Sequence, residues 1–515
     1  MTLANIVPSR RPGGRAAKIK ARSQPLEESV RPIRGGMEGG FFKPLSDVDV
    51  LKLHEAAMNA LEIIGFANAP DSGAAILQEA GAIQGDDGRI RFPRSLVEDM
   101  IALAPSEISL FARDRNFDLR VGGKRVYFGT AGAAVHVVDA VNREYRDSTS
   151  ADLYQSAQIA HALDNVHFFQ RTMVCRDIAD NFDMDINTAY ACCAGTSKHV
   201  GTSITEPDYV DGVLRLLHLV AGGEAEWRAR PFASLSDCFV VPPMTFAEES
   251  CRTMEKCIRG GMPILLLSAG QAGATAPAAL ATAIAQAVAE CLAGVVYVNA
   301  VRPGHPAIFG TWPFVSDLRT GAMSGGSGEQ ALLAAGCAQM HHFYGLPGGA
   351  AAGIADSKLP DMQAGWEQAM SNVLAGLSGL NMVYESAGMH ASLLGFSQES
   401  LILGDDLIGQ ALRCLKGIEV SADSISIEAM KSVCLSGPGH YLGHPQTLDL
   451  MQKDYVYPSV ADRSSPKEWA ERDKPDLIQS AIARKHKILA DSKSPLIDPI
   501  ADAKIRSEFN IAVQT

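Results

Sequence analysis

Eight short apolar runs, each followed by a polar stretch of helical character, divide the chain from Val126 onward. They are VYFGTAGAAVHVVD at Val126, VHFFQRTMVC at Val166, HVGTSIT at His199, FASLSDCFVV at Phe232, PILLLSAG at Pro263, VVYVNAV at Val295, YGLPGGAAAG at Tyr344 and NMVYESAG at Asn381. Their starts lie roughly 30 to 50 residues apart, the length of one βα unit. Parallel strands need a crossover between them, and eight such units close a barrel of about 250 residues. The pattern predicts an α/β chain: a (β/α)8 TIM barrel over residues 126–400, with an N-terminal helical extension and a C-terminal extension.

The flanks read differently. Residues 1–45 form a basic, extended arm: Arg10, Arg11, Arg15, Lys18, Lys20 and Arg22 precede the first acid, Glu27, while Pro12, Gly13, Gly14 and Pro25 break any helix. A targeting peptide would be amphipathic and helical, so a solvated or partner-contacting arm is the better reading. Residues 46–125 are predicted helical. Leu51, His54, Met58, Leu61 and Ile64 recur near a 3.6 period before Gly65, and shorter helices follow at Asp71–Ala80 and Pro93–Leu103. Residues 401–515 hold a helix over Asp405–Leu415 and a polar tail. Thr245 with Glu248, and Ser327 with Gln330, have capping-box spacing, and Pro207, Pro277 and Pro360 suit first helical turns. Pro277–Val298 is the most apolar stretch, but Gln286 and Glu290 interrupt it and alanine dominates. It predicts a buried helix running into a strand instead of a membrane span.

Several function classes recede. A net charge of −12 lacks the basic footprint of a nucleic-acid binder. Ten scattered cysteines without a CxxC suit a reduced, cytoplasmic protein. No GxGxxG, GxxxxGK[ST] or GxSxG occurs, so a dinucleotide fold, a P-loop and a nucleophile elbow lack support. His440 with His444, and His341 with His342, are too few for a metal site, so none is expected.

A barrel places its chemistry at the C-terminal ends of the strands. That rule nominates Gly129–Ala133, Pro242, Pro243, Gln271, Phe309, Trp312, Phe314, Ser316, Asp317, Asp356, Glu385 and His390. The stretch PGHPAIFGTWPFVSDLRTGAMSGGSG reads as an ordered functional loop. Its rings Phe309, Trp312 and Phe314 either cage a cation, at ~1–2 kcal/mol per desolvated face, or pack the loop onto the rim. Asp356 and Glu385 either balance a cationic substrate, or cap helices and pair with Lys358 or Arg319.

Longer patterns carry a resemblance. GAMSGGSGEQALLAAGCAQMHHFYGLP at Gly321, AGIADSKLPDMQAGWEQA at Ala352, GLNMVYESAGM, GIEV at Gly417, GPGHYLGHPQTL at Gly437 and FGTAGAAVHVVD at Phe128 resemble the trimethylamine methyltransferase family over nearly the whole chain beyond the arm. The resemblance implies a barrel that passes a methyl group from an amine to the cobalt of a corrinoid (cobalamin) held by a separate protein. It places the corrin at the barrel mouth, with Gly348, Gly349 and Gly353 as the glycines that would approach it. The archetype carries pyrrolysine near the seventh strand, and no such residue stands here, so the resemblance shifts to the non-pyrrolysine branch and a quaternary amine of the glycine betaine kind.

Leaving-group chemistry agrees with that shift, because a quaternary ammonium departs as a neutral tertiary amine without prior protonation. The expected substrate-binding set is Phe309, Trp312, Phe314, Asp356, Glu385, His390 and Gln271, with Trp366 in the core of the following helix. A betaine carboxylate could meet Arg171, Arg302 or Arg319. The expected partners are a small quaternary or tertiary amine and a corrinoid protein, in a homo-oligomer with no nucleic acid and no membrane. The alternatives are a corrinoid methyltransferase for trimethylamine or another methyl donor, and a non-catalytic barrel binding quaternary amines or corrinoids.

Overall fold

The computed structural model describes residues 27–130, 132–422, 424–435, 437–492 and 495–514. The basic cluster of the expected arm lies within residues 1–26, outside the described residues. The chain divides into two compact units, one of residues 35–415 and 458–515, the other of residues 1–34 and 416–457. In its described part the second unit holds helices Ile427–Cys434 and Pro445–Lys453. His444 is the N-cap of the latter, its Nδ1 accepting from the Gln446 N–H at 3.2 Å.

The first unit is built on one curled, largely parallel sheet. Its strands in chain order are β1 (Arg125–Phe128), β2 (Phe169–Gln170), β3 (Val200–Thr202), β4 (Ala233–Asp237), β5 (Ile264–Ser268), β6 (Ala307–Thr311), β7 (Gly348–Ala351) and β8 (Met382–Tyr384). They lie in the order β1-β8-β7-β6-β5-β4-β3-β2, all parallel, and Met37–Glu38 adds an antiparallel ninth strand beside β1. Before β1 stand helices α1 (Asp47–Asn59), α2 (Asp71–Glu79) and α3 (Arg94–Leu103). Crossovers between strands are made by α4 (Ser150–Ala162), α5 (Asn181–Gly195), α6 (Val210–Ala221), α7 (Glu248–Arg259), α8 (Leu280–Val301), α9 (Gly328–Tyr344) and α10 (Met362–Ser378), and α11 (Gln398–Lys416) follows β8.

Seven of the eight runs are strands. The sixth is not: VVYVNAV at Val295 is the last two turns of α8, and the sixth strand is AIFGT at residues 307–311. A short apolar run buried on all sides has the same pattern as either element. Here the tie is broken by what surrounds it. Every residue from Val288 to Val298 is buried, because α8 is covered by α1, α2 and α3 as well as by β5 and β6. By length and composition α8 could cross a membrane, yet 83% of its apolar window is buried within the fold.

The start signals fared unevenly. Ser46 caps α1 by accepting from Asp49 N, and Ser327 caps α9 by accepting from Gln330 N. Thr245 caps nothing: it lies in a two-residue strand, Thr245–Phe246, paired with Val240–Val241, and α7 begins after Ala247. Pro207 does stand in a first turn, whereas Pro277 and Pro360 precede the N-caps Ala279 and Asp361.

The curl brings the two outermost parallel strands together. Gly129, just after β1, forms a parallel bridge with Phe168, just before β2. Around that seam the His167 N–H donates to Phe128 O at 2.7 Å, and the Phe128 N–H donates to His167 Nδ1 at 2.9 Å. Lys198, only 1% exposed, donates from Nζ to Ala160 O, Leu163 O and Val166 O at 2.7, 2.6 and 2.5 Å. The first two carbonyls belong to the end of α4, where Ala160 O also accepts from the Leu163 N–H at 3.3 Å. Burial lowers the ammonium's pKa to about 8, opposed by the charges of Asp405 and Asp164.

Close approach also sets the opposite side of the sheet. A Cβ on Gly348 would lie 2.2 Å from the ring of His341 on α9, so only glycine lets β7 meet that helix. Two stability predictions follow from these contacts. Lys198→Met takes a charged donor from three buried carbonyls and should lower urea-unfolding stability by about 3 kcal/mol or more. Gly348→Ala should lower it by about 1–3 kcal/mol, read in the same titration, by overpacking alone.

Candidate active site at the strand ends

Alternation along a strand sends successive side chains to opposite faces. On β8, Tyr384 shares a face with Met382, and that face carries an aromatic cluster of four rings built from three different segments. The Tyr384 ring stands 5.0 Å from Phe168 at 70° and 5.1 Å from Trp312 at 44°, and Trp312 meets Phe314 edge-on at 6.4 Å. All four rings are nearly fully buried. The loop after β6 is held by backbone bonds, Trp312 N–H to Ser268 O and Phe314 N–H to Gly270 O, each 2.8 Å. The Trp312 indole N–H, buried, has no partner among the described residues.

The residue after Tyr384 carries a carboxyl. Glu385 follows Tyr384 in the left-handed region at φ 61°, which breaks the strand's alternation and re-aims its side chain. It is 1% exposed, and its Oε2 has no partner among the described residues. Burial pushes the carboxyl up to about 8, and the charge of Arg171 opposes the rise. The surrounding backbone is pinned by Gly129 N–H to Val383 O and Ser386 N–H to Gly129 O, both 3.0 Å. A Cβ on Gly132 would lie 3.4 Å from Glu385 Oε2, 3.2 Å from Thr172 O and 2.3 Å from Met389 Cε. Thr172 Oγ1, fully buried, also lacks a described partner. Arg171 acts on Asp185 too, whose carboxyl burial raises to about 6 while it accepts from Thr205 N and Oγ1.

Of the residues nominated from sequence, Trp312 and Phe314 come together here, and Glu385 directly follows the cluster residue Tyr384. Gln271 borders the cluster: its short strand pairs with that of Phe314, and its Oε1 accepts from Ser316 Oγ at 3.2 Å. Phe309 does not join, because it sits on β6 with its ring 5.9 Å from Tyr344 of α9. Asp356 spends its carboxylate on the surrounding loops, accepting from Ser324 Oγ, Gly325 N and Ser392 Oγ at 2.6, 2.7 and 2.6 Å. His390, fully buried, bonds Ser400 Oγ at 2.6 Å and Ser357 O at 3.3 Å, and burial lowers it to about 4, so it is neutral near pH 7. Asp317 pairs outward with the exposed Arg319, and Arg302 merely ends α8. Ala131 lies outside the described residues.

The three glycines expected to approach a corrin have other neighbours. Gly348 makes room for His341, Gly349 for Tyr384 (2.8 Å from a notional Cβ to Cε2), and Gly353 for Asn372 and Glu385 O. None opens a backbone surface to a large ligand. Trp366, expected in the core, is 58% exposed on α10. Sequence reasoning missed Phe168, Tyr384 and Thr172. Period-2 counting from Phe168 would have found Gln170 and Thr172, but nothing local separates Phe168 from Phe169.

Comparison with known proteins adds independent information. The model for trimethylamine methyltransferase (MTTB) matches residues 11–512. The chain is 29% identical over 472 residues to a glycine betaine methyltransferase of Desulfitobacterium hafniense (strain Y51), covering 90% of this chain and 96% of that protein. It is 28% identical over 484 residues to the trimethylamine methyltransferase MttB of Desulfitobacterium hafniense (strain DSM 10664 / DCB-2), covering 94% and 96%. With the MttB of Methanosarcina barkeri (strain Fusaro / DSM 804) it shares 29% over 481 residues, covering 91% and 94%. The chain belongs to the trimethylamine methyltransferase family and is a methyltransferase.

Proposed function

We propose that this enzyme takes a methyl group from a quaternary amine of the glycine betaine type and passes it to the cobalt of a corrinoid carried by a separate protein. The observation that carries the reading is the four-ring cluster of Phe168, Trp312, Phe314 and Tyr384, with the buried Glu385, its Oε2 unpartnered among the described residues, next in the chain after Tyr384. Aromatic faces attract a quaternary ammonium, and a dry site strengthens that attraction. Trp312, Phe314, Tyr384 and Phe168 hold the trimethylammonium group, Glu385 balances its charge, and Gln271 borders it. Phe309, Asp356 and His390 support this site from behind: Asp356 fixes the loops on either side, and the other two pack the strand ends. Arg171, whose charge reaches Glu385, is the side chain suited to a betaine carboxylate.

The same reading takes residues 126–400 as a closed (β/α)8 barrel, with 46–125 and 401–515 as extensions. The Gly129–Phe168 bridge supports closure, since it joins the two ends of the parallel array. The site then sits at the C-terminal mouth, where this fold keeps its chemistry. The reduced corrinoid supplies the nucleophile, and the protein's task is orientation and exclusion of water. No group has to protonate nitrogen, because a quaternary ammonium leaves as a neutral amine. The relative named for glycine betaine and the lack of pyrrolysine both favour this substrate class over trimethylamine.

Purified enzyme mixed with a Co(I) corrinoid protein and glycine betaine should give methyl-Co(III), read by its absorbance. A panel of tertiary amines and methyl thioethers should react more slowly. Failure across all quaternary amines, or an equal rate with trimethylamine, overturns the assignment. Trp312→Ala should raise KM about 5- to 30-fold, the equivalent of ~1–2 kcal/mol of lost cation–π attraction, with kcat changed less.

A further inference from the structure

We propose that Glu385 is the specificity-determining counter-ion of this site, neutral in the free enzyme and ionised by the arrival of a cation, so that each substrate bound expels one proton. The inference rests on the substrate class proposed above and adds how the site distinguishes a trimethylammonium group from an uncharged group of the same shape.

The geometry comes first. Glu385 is the carboxyl that the chain turns out of strand alternation, at φ 61°, directly after the cluster residue Tyr384. Its Oε2 is buried without a partner, and Thr172 Oγ1, also buried and unpartnered, belongs to the adjoining strand end. A polar atom left this way is costly unless something else satisfies it. The free protein lowers that cost by keeping the carboxyl protonated: burial holds its pKa near 8. The groups around it leave this balance intact. From the β1 end come Thr130 and Gly132, which do not titrate, with Thr130 Oγ1 already given to Gln170 O. From the β2 end come Thr172 and Arg171, and Arg171 is the one charge acting on Glu385 among the described groups. Next in the chain past Met389 stands His390, neutral and bound to Ser400. On its own strand stands Tyr384, whose phenol burial raises. Asn372, which faces the same turn, donates to Ser386 O.

A quaternary ammonium brought among these buried groups without a counter-charge would be strongly disfavoured. It has no N–H to share, so a neutral carboxyl offers it little. Ionisation changes that: the carboxyl O–H bond breaks, the electron pair stays on the carboxylate beside the ammonium, and the proton leaves to water. The ammonium's positive charge enters as the proton leaves, so the charge beside Glu385 is unchanged, while a betaine's carboxylate is met separately by Arg171. An isostere with carbon in place of the ammonium nitrogen cannot drive the exchange.

The sign follows from linkage. A group protonated when free and ionised when bound makes binding tighter as pH rises toward its free pKa, and independent of pH above it. Calorimetry of glycine betaine binding, repeated in buffers of different ionisation enthalpy, should show close to one proton released per ligand at pH 7 and about a tenth at pH 9. The Kd should be about tenfold weaker at pH 7 than at pH 9. The carbon isostere 3,3-dimethylbutanoate should release none. In Glu385→Gln betaine binding should be weaker at pH 9 and flat with pH. Should that variant not fold, the infrared difference spectrum of the wild type still decides: a protonated-carboxyl band must be lost, and a carboxylate band gained, on adding betaine. Methyl transfer from betaine without proton release, or equal release with the isostere, overturns this inference and leaves the proposed function standing. No binding or turnover of any quaternary amine overturns both.

Discussion

The buried ammonium of Lys198 holds the place where the curled sheet meets itself. Three carbonyls at the end of α4 and the approach to β2 converge on it, and two residues further on Phe168 bridges to Gly129. Phe168 is also one wall of the aromatic cluster. The same few residues thus bridge the two outermost parallel strands and supply one wall of the aromatic cluster. A charge so deeply placed is tolerable because each of its hydrogens finds a carbonyl, the condition under which burying an ion does not outweigh what it organises. Asp405 strengthens the arrangement from the side, accepting from Asn165 N in the same turn at 2.9 Å.

From that seam the site is assembled by strand ends that are far apart in sequence. Phe168 precedes β2, Trp312 and Phe314 follow β6, and Tyr384 ends β8. Gly349 on β7 clears the space into which Tyr384 leans. Asp356 then ties the loop after β6 to the loop after β8 through Ser324, Gly325 and Ser392. Each ring is held by backbone it does not itself belong to, the kind of support a site that works by positioning requires.

Periodicity revealed much of this and misplaced one part with consequences. The βα rhythm from Val126 gave seven of eight strands because each run was bounded by glycine, proline or a polar turn. Val295–Val301 broke the rule because α8 is buried all round, so its pattern has no polar face to betray a helix. Phe309 was consequently read as a loop residue, and it turned out to be a strand residue facing α9. Glu385 was legible, since a carboxylate at the end of an apolar run is conspicuous. Its neighbour Tyr384 was not, since only the fold tells that its ring, instead of pointing to a helix, meets Trp312. Asp356 illustrates a third case: its position was legible and its role was not, because a carboxylate bonded to three loop donors and one balancing a ligand look the same in sequence.

Helix α8 has a consequence for how the protein is made. In an ordinary barrel the outer face of such a helix meets water, and here α1, α2 and α3 cover it instead. Those three helices precede the 22 residues of α8 in the chain and are synthesised before them. The N-terminal region is therefore already available as a cover when a segment that membrane-insertion machinery could mistake for its own emerges. A shortened chain beginning at β1 would leave open the face of α8 that α1, α2 and α3 cover.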